Sequence, residues 1–78
     1  MSDDLFERFK VHAVAVLAVD ADKVTLEANF ADDLDADSLD LVELVMALED
    51  EFDVSIDEEE LEGIATVSQA VDLVRSKL

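Results

Sequence analysis

The apolar positions of this chain fall into helical stripes separated by stretches that hold no period. Leu5, Phe9, Ala13 and Val16 share one face, which predicts a helix from about Asp3 to Ala18, with Ser2, Asp3 and Asp4 supplying caps and negative charge at its start. Lone His12 flanks this stripe and reads as a packing residue. From Val19 to Asp37 no period is sustained, and Val19, Val24, Leu26, Phe30 and Leu34 read as anchors pinning a long loop across the helices. The helical pattern returns at Ser38. Leu41, Leu44, Val45, Leu48 and Phe52 gather on one face at roughly 100° per residue, while Leu39, Val42 and Met46 form a smaller stripe about 100–160° away. Asp53-Val54-Ser55-Ile56 then turns the chain, and Asp57 with Glu60 caps a short helix that ends before Gly63, the only glycine and a natural terminator. Thr66 with Gln69 makes a capping box ahead of the stripe Val67, Ala70, Val71, Val74 and Leu78. Arg75 and Lys77 in the last turn complement the helix dipole. The predicted architecture is all-α: an irregular four-helix bundle of three longer helices and one short third helix, with a long first loop.

The second helix is the informative one. Asp37 fits its N-cap, with Asp40 three residues on, which makes Ser38 the first helical residue with its hydroxyl toward solvent. A small domain cannot easily bury two faces of one helix, so the Leu39, Val42 and Met46 stripe should stay partly exposed. Bordered by Glu43, Glu49 and Asp50, it has the composition of a docking surface for basic partners.

Charge and composition narrow the function. The 78 residues make one domain, 1–78, near the lower limit for a self-supporting core. A net charge of −17 alone would suggest disorder, but a hydrophobic content of 51% supports a folded chain. Positions 24 to 74 carry 17 acidic residues and no basic one. Nucleic acid as a partner is excluded, acidic membrane surfaces are disfavoured, and basic protein surfaces are attracted over long range. No segment has the length of a membrane span and the N-terminus lacks the pattern of a signal peptide, so a cytoplasmic protein is expected, and it is taken to be monomeric. Without cysteine there is no thiolate metal site and no thiol nucleophile. The lone histidine shows no triad with Ser38, so the serine is better placed as an acceptor of a covalent group than as a catalyst.

Asp37-Ser38-Leu39, preceded by Phe30 and Asp33-Leu34 and followed by Val42-Glu43-Leu44-Val45-Met46-Ala47-Leu48-Glu49, resembles the acyl carrier proteins, most closely the free-standing carriers of dissociated fatty acid synthesis. The match spans nearly the whole chain. It implies a carrier without catalytic activity of its own, with 4'-phosphopantetheine from coenzyme A attached to Ser38 by a magnesium-dependent phosphopantetheinyl transferase and Asp37 helping to hold that metal. It also implies docking of acyltransferases, ketoacyl synthases and other basic-surfaced enzymes through Asp37, Leu39, Asp40, Val42, Glu43, Met46, Glu49 and Asp50. Phe30, Val45, Leu48, Ile56, Ile64, Ala70 and Leu73 match positions that would line a cavity for the acyl chain. One departure stands out: the family commonly has glycine two residues before the motif's aspartate, where this chain has Asp35.

Other readings share parts of this pattern. Polyketide or aminoacyl carriers have the same motif. Asp33, Asp35 and Asp37 alternate like the first ligands of an EF-hand, but Ser38 replaces the required glycine and Leu44 the twelfth-position glutamate, leaving loose divalent-cation binding by the carboxylate cluster. An unmodified acidic adaptor is the third reading, and it would function equally well with alanine at position 38.

Overall fold

The structure, a computed structural model, describes residues 4–78. Its helices are α1 (Asp4–Leu17), α2 (Ser38–Phe52), α3 (Glu58–Leu61) and α4 (Val67–Lys77), and an unpredicted turn of 3₁₀ helix, Ala21–Lys23, follows α1. The caps expected from Ser2 and Asp3 lie outside the described residues. The all-α bundle is as anticipated, with the long connection between α1 and α2 and the short helix third.

The three longer helices bury the stripes their sequences carry. Phe9 and Ala13 of α1, Leu44, Leu48 and Phe52 of α2, and Val67, Ala70, Val71 and Val74 of α4 meet in one core, with Leu5, Val16 and Leu41 packed at its edge. Leu78 does not join them. It is 69% exposed, because α4 ends at Lys77 and the final residue has no neighbouring element to cover it. No polar or charged side chain among the described residues is buried.

The long loop supplies its own share of the core. Val24, Phe30 and Leu34 are buried, and the Phe30 ring lies 6.5 Å from that of Phe9. Val19 is partly buried against the core. Leu26, expected as an anchor, is instead 47% exposed, and the small residues Ala28 and Ala36 take inward positions. Backbone pairing explains the difference. Leu26 contributes its carbonyl, which accepts from the Ser68 amide at 3.0 Å, while the Ala28 carbonyl accepts from Val67 at 2.9 Å. These are first-turn amides of α4, which have no intrahelical acceptor, so the loop satisfies them and fixes its own position. Phe30 adds a bond from its amide to the Ala65 carbonyl at 2.9 Å, and Asn29 pairs with Thr66 in an isolated antiparallel bridge.

Candidate functional site

Asp37 and Asp40 build the start of α2. The Asp37 carboxylate accepts from the Asp40 amide at 2.9 Å and the Asp40 carboxylate accepts from the Asp37 amide at 3.3 Å, closing a capping box. With the Leu41 amide on the Asp37 carbonyl, the Ser38 and Leu39 amides remain for solvent or a ligand. Ser38 is exposed on this helix start. An anionic group placed there meets free donors and the positive end of the dipole.

The loop before the cap is held by Asn29. Its side-chain oxygen accepts from Ala31 and Asp32, its amide donates to the Asp33 carboxylate at 2.7 Å, and its carbonyl accepts from Asp33 and Leu34. Asp35, where the family favours glycine, has φ of 55°, in the left-handed region. Aspartate enters that region more readily than most residues, and the Ala36 amide closes the turn on the Phe30 carbonyl at 2.8 Å. Asp33, Asp35 and Asp37 therefore serve separate backbone positions, and no group of three ligating side chains suited to a metal ion forms among the described residues.

Beside Ser38 opens a cleft of about 880 Å³. Phe30, Ala36, Leu41, Leu61 and Ile64 make its apolar part, while Asp32, Asp37, Glu58 and Glu62 add carboxylates. Ser38 is itself among the residues that line this space. Of the seven residues expected to line an acyl cavity, the structure brings Phe30 and Ile64 to the cleft. Leu48 and Ala70 are inside the common core, Val45 is buried, and Ile56 and Leu73 are half-buried away from the cleft. Leu61 was the residue missed. It is the one apolar side chain in Glu58-Glu59-Glu60-Leu61, and that isolation was the available signal.

The second stripe of α2 faces outward. Leu39 is 66% and Met46 61% exposed, and half-buried Val42 joins the stripe to the cleft wall. Glu43 and Asp50 are exposed beside them, and Asp40 is half-buried. Glu49 differs from its neighbours: its carboxylate accepts from the Ile56 amide at 2.7 Å, so it holds the turn after α2 as well as facing the rim.

His12 has the partner that the sequence could not identify. Its Nε2 lies 3.0 Å from Glu51 Oε1, and Arg8 Nε donates to Oε2 of the same carboxylate at 2.7 Å, with its guanidinium 4.6 Å over the Phe52 ring. The hydrogen bonds from His12 and then Arg8 lower the Glu51 pKa from its ordinary value. This clasp joins α1 to α2, far along the helix from Ser38, and has the character of a structural tie.

Comparison with known proteins places these features in context. A family profile described as a phosphopantetheine attachment site matches residues 7–74. The chain is 59% identical over 76 residues to an acyl carrier protein of Petrotoga mobilis, covering 97% of this chain and 89% of that one. It is 51% identical over 77 residues to an acyl carrier protein of Picosynechococcus, covering 99% and 95% respectively. Its fold matches the crystal structure of an acyl carrier protein from Thermotoga maritima with a TM-score of 0.83 at 35% identity, over 96% of this chain and 87% of that one.

Proposed function

The chain belongs to the acyl carrier protein family, and we propose that Ser38 is the residue through which it carries 4'-phosphopantetheine. The observation behind this assignment is an exposed serine at the capped start of α2, opening directly onto the cleft. When bound, the group supplies the terminal thiol that holds acyl chains as thioesters, a sulfur that the cysteine-free chain lacks. The residues of the protein orient and present it. Free amides of Ser38 and Leu39 favour the attached phosphodiester against the surrounding carboxylates. Asp37 caps the helix and lends its carboxylate to the magnesium of the transferase.

Docking follows from the outer face of α2. Asp37, Asp40, Glu43, Glu49 and Asp50 steer basic partner surfaces toward Ser38, and Leu39, Val42 and Met46 add a small apolar contact. Such an interface binds weakly and releases quickly, as successive partners require. The protein has no catalytic role of its own and works with a phosphopantetheinyl transferase, acyltransferases and ketoacyl synthases in the cytoplasm. Similarity over nearly the full length to free-standing carriers favours fatty acid synthesis as its pathway.

Intact mass after incubation with coenzyme A, magnesium and a broad-specificity transferase tests the assignment. Wild type is expected to gain one phosphopantetheinyl group and Ser38→Ala none. A gain by Ser38→Ala would overturn it.

A further inference from the structure

Met46 closes the C-terminal end of the apolar stripe on α2, 61% exposed, with Val42 one turn before it and Glu43, Glu49 and Asp50 on the adjoining turns. The chain has two methionines and no cysteine, so this thioether is the one sulfur of the polypeptide on the α2 surface. We propose that Met46 is a redox-sensitive modification site, at which hydrogen peroxide converts the thioether to a sulfoxide and thereby weakens docking of partner enzymes; the inference rests on the carrier reading above.

The chemistry is balanced with peroxide as the only co-reactant. The sulfur lone pair attacks one peroxide oxygen, an S–O bond forms as the O–O bond breaks, and the departing hydroxide takes the remaining proton to leave as water. Sulfur is oxidised by two electrons and peroxide is reduced by two. The protein's charge of −17 repels anionic oxidants, whereas hydrogen peroxide is neutral and approaches the rim unopposed. Exposure of Met46 leaves its sulfur accessible to that reagent. Because Met46 is not among the side chains packed on the core, oxidation leaves the bundle intact. Its effect falls on association: the thioether is covered by apolar surface when a partner docks, and the strongly hydrated sulfoxide must lose its water there. Sulfoxide reductases reverse the change.

The test treats the full chain with hydrogen peroxide, locates the added oxygen by peptide mass, and follows transfer from coenzyme A at limiting carrier concentration. Sulfoxide at Met46 is expected to lower kcat/KM for the carrier by about five-fold or more, with the melting temperature unchanged and activity recovered after treatment with both stereospecific reductases. Met46→Leu, compared with its own untreated form, is expected to lose the response whether or not Met1 is oxidised. An unchanged rate on protein fully oxidised at Met46, an equal fall in Met46→Leu, or no sulfoxide at Met46 would overturn the proposal. Failure of the carrier reading is visible separately, as untreated wild type that takes up no arm.

Discussion

Among the described residues, three with side chains occupy the left-handed backbone region, Ala18, Asp35 and Asp53, while the one glycine does not. Ala18 follows α1 and Asp53 caps the C-terminus of α2, both places where glycine is the usual solution. Ala18→Gly and Asp35→Gly are therefore each expected to stabilise the fold by about 1 kcal/mol, the larger gain at alanine, which lacks a polar side chain to compensate. Urea denaturation measures this, and a loss of stability in both would contradict the reading of these turns. Gly63 has ordinary negative φ and open space where a Cβ would stand, so α3 ends before it without using its conformational freedom. Gly63→Ala should accordingly stabilise by about 0.4–1 kcal/mol. Sequence reading identified Gly63 as a terminator and could not see Ala18, since nothing in an alanine signals a positive φ. Asp35 was legible only because a family pattern made it conspicuous.

At the scale of the helix, α2 combines a structural start signal with the proposed attachment point, and substitutions at Asp37 separate the two. Asparagine caps as well as aspartate but offers no charge to magnesium. Asp37→Asn should keep the melting temperature of wild type and be loaded more slowly, whereas Asp37→Ala should lose about 1 kcal/mol of stability as well. Equal loading rates for wild type and Asp37→Asn would remove Asp37 from the metal-holding role. Both stripes of α2 were legible because helical period alone assigns faces. The attachment of the long loop to α4 was not, because it runs through backbone amides that every sequence possesses. Likewise the Arg8, His12 and Glu51 clasp depends on how α1 lies against α2, which neither helix encodes alone. Its titration gives a further expectation. Glu51 has its pKa lowered by His12 and Arg8, so its stabilising contribution is complete above the ordinary value of 4.5 and disappears as pH falls through the lowered one. The stability advantage of wild type over Glu51→Gln should shrink as pH falls below 4.5 toward the lowered value. A difference that widened with acidification would reverse the sign of this argument.

For the molecule as a whole, the core is apolar and the charge lies outside it, so the two oppose each other across one small domain. Repulsion among surface carboxylates destabilises the compact state, and screening relieves it. The melting temperature should rise with millimolar magnesium or calcium and also with sodium chloride, as no built metal site gathers the carboxylates among the described residues. A rise with calcium alone would point to a specific site instead. Net charge gave this behaviour from composition, whereas the cleft beside Ser38 required the fold: α2, α3 and the loop each supply one wall. The proposed seat of the prosthetic arm is the capped start of α2. Fragmentation mass spectrometry of protein modified by the transferase addresses it most directly, because the chain has five serines, Ser2, Ser38, Ser55, Ser68 and Ser76. Every phosphopantetheinyl group is expected to map to Ser38; a group mapped to any of the other four would contradict this assignment.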